Sequence, residues 1–168
     1  MFQHRPTRDQ RSLDAMAPEV RAAYLEQRNA VDSRENPPLT DAMLKKAMAF
    51  DRAFVEAGGL LAAGVDPTGF GGALPGFGDQ RNYEMFIEAG FTPTQAVKIM
   101  TANGAKILGV DQSLGTVATG KTADLVVMHG DLAQTPSVIR NVTVVFKDGI
   151  GYDSPKLIAS VAGKVGIN

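Results

Sequence analysis

The sequence predicts an α/β fold, and three features lead to this class. Apolar residues recur at helical spacing over 41–57. Two glycines end that helix, and the short apolar run 60–64 that follows is typical of a strand buried on both faces of a parallel sheet. Further along the chain the period changes, and 125–128 and 142–146 are rich in β-forming residues. Helix, glycines and buried strand together form half of a βαβ alternation.

The composition is that of an ordinary globular domain. The chain has 168 residues, of which 44% are hydrophobic and 21% charged, enough for one domain with or without an appendage. A net charge of −1 gives no electrostatic reason to expect nucleic acid or an anionic membrane as a partner. The absence of cysteine excludes disulfides and thiolate metal sites. The sequence contains no signal peptide and no apolar run of the ~20 residues that span a bilayer.

The first 39 residues predict one helix and one loop. The helix is expected over 14–31, with Pro18 near its start, where a missing N–H costs little. The loop 32–39 contains Pro37 and Pro38, which exclude helix on both sides.

The next helix, 41–57, has a clear beginning, because Thr40 is a good N-cap. Its expected buried stripe comprises Met43, Ala47, Phe50 and Phe54, widened by Leu44, Met48 and Val55. Asp51 falls inside this apolar arc and is interpreted as a paired structural acid.

The run 60–64 leads directly to Asp66 and to a glycine-rich loop, 64–80. That loop holds six of the chain's 18 glycines. Asp66 begins Asp-Pro-Thr-Gly, a type I turn signature, so a purely structural turn is one interpretation. The other is a functional acid, since α/β enzymes place their chemistry just beyond the carboxyl ends of buried strands. The glycines favour this second interpretation because they allow backbone to approach a ligand closely.

Two helical regions follow the loop. The first is expected over 80–89, with Asp79 as its N-cap. The second has a well-specified start, because Thr92 and Gln95 form a capping box and Pro93 occupies the first helical position. Gly104 is expected to divide it into two short pieces.

The C-terminal region predicts a small β unit and a tail. Strands are expected at 125–128 and 142–146, and one terminal helix over 154–168 with a Ser-Pro start.

One glycine motif matches the phosphate-binding P-loop by sequence alone. GTVATGKT, Gly115–Thr122, fits G-x-x-x-x-G-K-[ST]. A working P-loop requires a strand before the loop and a helix after it, whereas ADLVVM follows here and predicts a strand. Two strands joined by a glycine turn are therefore the favoured interpretation, with nucleotide binding as a weak alternative.

Several blocks, taken in order, resemble the C-terminal part of metal-dependent amidohydrolases, in the imidazolonepropionase-like and prolidase-like branches. The resemblance covers residues 40 to 150. The blocks that carry it are GVDPTGFGGALPGFGDQ, EAGFTPTQAVKIMTANGAKILG, LGTVATGKTADLVV and RNVTVVFKDG.

The resemblance implies the terminal part of a (β/α)8 barrel with the C-terminal share of a small β-sandwich beside it. It divides the chain into a helical connection (1–39), a terminal barrel segment with strand 60–64 and glycine-rich loop 64–80 (40–112), a small β unit (113–150) and a C-terminal helix or tail (151–168).

The site residues implied by the resemblance centre on Asp66. In the family, the acid after the eighth strand is a metal ligand and the catalytic proton acceptor, and that position corresponds to Asp66. The expected cofactor is a divalent metal, most simply zinc. The loop after it would line the substrate pocket through Thr68, Gly69, Phe70, Gly71 and Gly72.

The sequence departs from the family in its metal ligands. No His-x-His pair occurs, and His4 and His129 lie outside the matching positions. One oxygen ligand cannot hold a catalytic zinc, which needs about three protein ligands. The hypothesis is therefore a portion of a hydrolase of C–N bonds, inactive alone, whose partner is the missing barrel segment or another subunit. The alternative is a non-catalytic binding or assembly module.

Overall fold

The computed structural model describes residues 9–35, 40–66 and 74–166. Within these ranges the chain forms α-helices, one 3₁₀ helix and one three-stranded sheet. The elements are α1 Gln10–Ala15, α2 Pro18–Asp32, α3 Asp41–Glu56, α4 Phe77–Glu88, α5 Pro93–Met100, α6 Ala102–Ile107, β1 Leu125–Met128, the 3₁₀ helix Pro136–Arg140, β2 Val142–Lys147, β3 Ile150–Asp153 and α7 Ser154–Ser160.

The helix predicted over 14–31 is in fact two helices, α1 and α2. Ala17 precedes Pro18 and has φ −58° and ψ 147°, an extended conformation that a residue before proline favours. Met16 forms an isolated parallel β-bridge with Val165, and the Ala17 N–H donates to the Val165 carbonyl at 3.0 Å. The break therefore brings the N-terminal and C-terminal parts of the described chain together.

A small core lies beneath this junction. Leu13, Met16 and Tyr24 are buried against one another, and Leu25 and Leu74 pack on them. Through Leu74, this cluster attaches the first two helices to the C-terminal part of the glycine-rich loop.

Helix α3 begins at Thr40 as predicted, and the Thr40 hydroxyl oxygen accepts from the Met43 N–H at 3.2 Å. The predicted buried face is wrong in part. Met48 is buried, whereas Met43 and Phe50 are 51% and 70% exposed. Spacing identifies an apolar stripe, but a neighbouring element decides whether it is covered.

Asp51 is half-buried on α3, and burial raises the pKa of its carboxyl group. It forms no hydrogen bond or ion pair with any other residue in the described part of the chain, so its predicted role as a paired structural acid is not met there.

The run 60–64 is not a paired strand in this structure. It forms no β-ladder with any residue of the described ranges. A strand is stabilised by hydrogen bonds to a neighbour, and the three strands of the described ranges instead pair with one another in a separate antiparallel sheet.

Helix α4 begins at Phe77, three residues before the predicted start, so the glycine-rich loop is shorter than expected. Gly76 is the N-cap, with φ 81°, a conformation that glycine adopts without strain. Asp79 is the third helical residue, and its Oδ2 accepts from the Gly76 N–H at 2.9 Å. Asp79 does cap α4, but from inside the helix.

The start of α5 is confirmed in detail. The Thr92 hydroxyl accepts from the Gln95 N–H at 3.3 Å, and Gln95 Oε1 accepts from the Thr92 N–H at 2.9 Å. The break between α5 and α6 falls at Thr101 and not at Gly104. Thr101 has φ −129° and ψ −81°, and its hydroxyl donates back to the Val97 carbonyl at 2.7 Å.

We expect Thr92→Ala to lower the free energy of unfolding by about 1 kcal/mol, because the substitution removes the side-chain half of this capping box. Urea denaturation followed by circular dichroism measures the change. Thr94→Ala, at an exposed position two residues along, is the matched control and should change stability by less than about 0.5 kcal/mol. Equal effects of the two substitutions would contradict the capping role.

The sheet has the order β1-β2-β3, with all pairs antiparallel. The two predicted strands are confirmed, with β2 one residue longer than expected. Strand β3 was not predicted. Its signal was the pair Asp148-Gly149, which has φ 52° and 78°, since Asp-Gly with two positive φ angles is a preferred hairpin turn.

The predicted terminal helix is shorter than expected. It begins at Ser154, capped by Asp153, whose Oδ1 accepts from the Lys156 N–H at 3.0 Å, and it ends at Ser160. Gly163 and Gly166 have positive φ beyond it. No helix in the described ranges has both the length and the apolar character needed to span a bilayer.

Candidate functional site

Asp66 lies at the end of the segment 60–66, which we call the Asp66 segment. The carboxylate is exposed. Its backbone has φ 44°, in the left-handed region that non-glycine residues rarely occupy and that Asp and Asn tolerate best. Strained backbone held in place by its surroundings is frequent at functional sites.

Two asparagine side chains hold the backbone that leads to Asp66. From α6, Asn103 Nδ2 donates to the Leu61 carbonyl at 2.7 Å. From α4, Asn82 Nδ2 donates to the Gly64 carbonyl at 3.1 Å. The segment thus receives side-chain donors from two helices in place of a β-ladder.

Val65, immediately before Asp66, packs against the first turn of α4. A Cβ atom placed on Gly78 would lie 2.5 Å from Val65 Cγ1, so only glycine fits there without a shift. The absence of a side chain at Gly78 therefore allows the Asp66 segment to approach α4.

The predicted substrate-binding residues cannot be compared with this geometry. Thr68, Gly69, Phe70, Gly71 and Gly72 all lie outside the described residues.

An ion-pair network fixes the far side of α4. Arg140 donates to both carboxylate oxygens of Glu84, at 2.6 and 2.9 Å, and to Asp9 Oδ2 at 2.9 Å. Glu84 is also paired with Arg81 at 3.3 Å. Burial raises the pKa of Glu84, but the hydrogen bonds and charges of Arg140 and Arg81 more than offset it, so the pKa is lowered. This network joins α4 to the 3₁₀ helix and to the chain just before α1.

A large apolar cleft lies elsewhere, between the sheet and the helices. Its volume is about 1210 Å³, and Asp66 is not among its lining residues. Strands β1 and β2 form one wall through Val126 and Val145, and α7 contributes Leu157 and Ile158. The candidate acid therefore does not line this cleft, although Phe77 and Asp79, on either side of Gly78, do.

The P-loop-like motif has a structural role, and the rejection of a nucleotide site is supported. Strand β1 follows the motif, where a P-loop has a helix. No strand of the described ranges precedes the motif between α6 and β1, so the predicted pair of strands joined by a glycine turn is wrong. Lys121 Nζ donates to the carbonyls of Asp111 at 2.6 Å and Leu114 at 3.3 Å. Its ammonium group is therefore engaged with backbone oxygens and does not face a phosphate cradle.

The described residues do not form a metal site by themselves. No group of three or more His, Asp or Glu side chains within 9–35, 40–66 and 74–166 could hold an ion. Asp66 supplies one carboxylate, whereas a zinc site needs about three protein ligands.

The sequence interpretation missed Asn82 and Asn103. Both lie within helical blocks that were judged by their apolar residues, and the contacts span 18 and 42 positions. The available signal was a polar Asn103 among the apolar residues of the α5–α6 block, because a buried amide requires a hydrogen-bond partner.

The chain is similar in sequence or structure to a deaminase, an imidazolonepropionase and a dipeptidase. The chain is 34% identical over 67 residues to adenine deaminase 4 of Rhizobium meliloti, covering 39% of this chain and 11% of that protein. It is 28% identical over 125 residues to imidazolonepropionase of Fusobacterium nucleatum, covering 66% and 29%. The crystal structure of a Xaa-Pro dipeptidase with bound methionine matches with a TM-score of 0.55 and 28% identity, covering 66% of this chain and 25% of that one.

The chain thus spans less than a third of the length of each of these proteins. The amidohydrolase family model matches residues 45–151, well over half of the chain, and that match includes Asp66, both asparagines and strands β1 and β2. The chain belongs to the amidohydrolase family.

Proposed function

We propose that this chain is the C-terminal portion of an amidohydrolase that hydrolyses C–N bonds in a non-peptide amide, cyclic amide or dipeptide-like substrate. Family membership and the names of the relatives, a deaminase, an imidazolonepropionase and a dipeptidase, support this class. The observation that carries the proposal is Asp66, an exposed carboxylate in a strained backbone conformation, inside the family-matched region.

In this proposal Asp66 is the general base and then the general acid. Its carboxylate takes a proton from the attacking water and delivers it to the leaving nitrogen as the C–N bond breaks. Such proton transfers contribute about 10²- to 10⁴-fold in rate. The left-handed backbone at Asp66 supports the role, since it sets the direction of the carboxylate.

We also propose that Asp66 is one oxygen ligand of a divalent metal, most simply zinc, which would supply Lewis acidity and an acidified water. The donor set of the described residues does not fit such an ion alone. The remaining ligands would have to come from outside those residues. We therefore expect no tight metal binding by this 168-residue chain.

The Asp66 segment is proposed as the last strand of the barrel, paired in the intact enzyme by strands from a missing barrel segment or another subunit. The exposed apolar stripe of α3 supports this partner, because Phe50 is 70% and Phe54 42% exposed. Exposed apolar patches and unpaired backbone favour association. The glycine loop, with Thr68, Gly69, Phe70, Gly71 and Gly72, would line the substrate pocket.

The test compares the 168-residue chain with a form extended by the sequence that precedes Met1 in its genome. Both are assayed with zinc against amide and cyclic-imide substrates. We expect turnover only in the extended form, where Asp66→Asn should lower kcat/KM by about 10²- to 10⁴-fold. Asn retains the shape of the side chain and tolerates the left-handed backbone.

The control is Asp111→Asn, at an exposed acid outside the Asp66 segment. Robust turnover by the 168-residue chain that Asp66→Asn abolishes would contradict the portion hypothesis while leaving the role of Asp66 intact. Full turnover by Asp66→Asn in the extended form would contradict that role.

The second candidate is a non-catalytic binding or assembly module. The apolar cleft of about 1210 Å³ favours it, since Asp66 is not among the residues that line that cleft. Metal analysis of the extended form by native mass spectrometry distinguishes the two candidates. One bound metal ion per extended chain, lost in Asp66→Asn, would argue against the module, and an extended form that binds no metal would favour it.

A further inference from the structure

Asn103 is a buried amide that hydrogen-bonds backbone from another part of the chain. Its side chain donates to the Leu61 carbonyl at 2.7 Å, and the residue is 9% exposed. A buried polar group that loses its partner costs about 1–3 kcal/mol. Loss of this hydrogen bond is therefore unfavourable, and removal of the Asn103 amide would leave the Leu61 carbonyl without this donor.

The helix that carries Asn103 is itself held at close range by the β unit. A Cβ atom on Gly115 would lie 2.5 Å from Ala105 Cβ and 3.1 Å from Ala102 Cα. Gly115 also has φ 84°, so this glycine permits both the turn and the approach of α6. The first glycine of the P-loop-like motif thus serves to seat α6, and α6 presents Asn103 to the Asp66 segment.

A second anchor reaches the same segment independently. Asn82, on α4, donates to the Gly64 carbonyl at 3.1 Å and is less buried than Asn103. Asp66 follows two residues later, with φ 44°. Two donors from different helices therefore fix the segment on the side from which the chain enters Asp66.

We propose that Asn103 is a positioning residue, assisted by Asn82, that holds the Asp66 segment so that the Asp66 carboxylate has one fixed position. The inference rests on the proposed role of Asp66. Side chains that react must be held to within about 0.5 Å, and a displacement of about 1 Å can cost 10²-fold in rate. Asn103 acts through the Leu61 carbonyl and does not itself contact the reacting atoms.

The first experiment measures backbone order in the 168-residue chain by ¹⁵N relaxation. Asn103→Ala removes the donor, and Asn103→Asp replaces it with an oxygen of the same size. In both we expect the order parameters of residues 62–66 to fall from about 0.85 to below about 0.6, with those of β1–β3 unchanged. Asn82→Ala should give a smaller decrease, because its contact is longer and more exposed.

The control is Asn141→Ala. Asn141 Nδ2 donates to the His129 carbonyl at 3.5 Å, within the β unit. The substitution therefore removes an asparagine amide contact that does not involve the Asp66 segment. The order of residues 62–66 should not change. If Asn103→Asp is too unstable for the measurement, Asn82→Ala and the Asn82→Asp variant test the same segment from its exposed anchor.

The second experiment uses whichever form of the protein shows turnover. Asn103→Ala should lower kcat by about 10- to 100-fold with KM unchanged, since positioning affects the reacting acid and not substrate binding. Unchanged order at residues 62–66, or a loosened segment with unaltered kcat, would overturn the inference. Turnover that is insensitive to Asp66→Asn would instead overturn the proposed function, whatever the relaxation data show.

Discussion

Tyr83→Ala is expected to lower the free energy of unfolding by about 3–5 kcal/mol, the range for removing a large buried aromatic ring. Tyr83, on α4, has no exposed surface. Its hydroxyl donates to the Leu132 carbonyl at 3.2 Å, so truncation removes a hydrogen bond and leaves a cavity. Urea denaturation followed by circular dichroism measures the change.

Two controls separate the ring from the hydroxyl. Tyr83→Phe keeps the packing and should cost about 1 kcal/mol, the value of one hydrogen bond. Tyr152→Ala removes a tyrosine that is 41% exposed on β3 and should cost much less than Tyr83→Ala. Similar losses from Tyr83→Ala and Tyr152→Ala would show that burial at Tyr83 does not determine stability.

Arg140→Met is expected to cost about 2 kcal/mol at neutral pH, because it leaves two carboxylates without their strongest partner. The side chains of Glu84 and Asp9 are 16% and 18% exposed, and that of Arg140 is 26% exposed. We place the value below that of a fully buried pair, since solvent reaches all three groups and Glu84 keeps Arg81.

The same substitution should change how stability depends on pH. The folded-state pKa of Glu84 is lowered below its ordinary value of 4.5. At pH values between the folded and the unfolded pKa of Glu84, the unfolded state therefore binds more protons than the folded state. The contribution of Glu84 to stability is complete above about pH 5 and is lost as the pH falls through the folded pKa. Arg140→Met should therefore reduce the loss of unfolding free energy on acidification, as measured by denaturation at pH values between 3 and 7.

Lys147→Ala is the matched control, since it breaks a more exposed ion pair, in which the Lys147 side chain is 69% and that of Asp124 27% exposed. It should leave the pH dependence attributed to Glu84 in place. If Arg140→Met lost as much unfolding free energy on acidification as the wild type does, the interpretation of Glu84 would be wrong.

Local signals allowed parts of the fold to be predicted from sequence. Thr92 and Gln95 specify a helix start within four residues, and β1 was located to the residue because its apolar run is bounded by turns. The exposed stripe of α3 was not predictable, since periodicity does not identify the neighbour that covers it. The prediction of a strand at 60–64 was wrong for the same reason, because the local sequence does not show whether a neighbouring strand is present to pair with it.

The surroundings of Asp66 show where sequence reasoning stops. Its position after an apolar run and before a glycine-rich loop left a structural turn as the favoured local interpretation, and the resemblance to amidohydrolases made Asp66 the candidate acid. The contacts that hold the segment could not be predicted, because Asn103 and Leu61 are 42 positions apart and no local pattern joins them. The pairing of Arg140 with Glu84, 56 positions apart, is equally non-local.

The bridge between Met16 and Val165 has a consequence for the order of folding. Its two residues lie near opposite ends of the described chain, and loop closure over so long a separation carries a large entropy cost. Among the described elements α1 emerges first during synthesis, yet the bridge that follows it can form only after residue 165 has left the ribosome. We therefore expect α1 to be among the last elements to dock, and the attachment of the first helices to follow, and not to initiate, formation of the sheet.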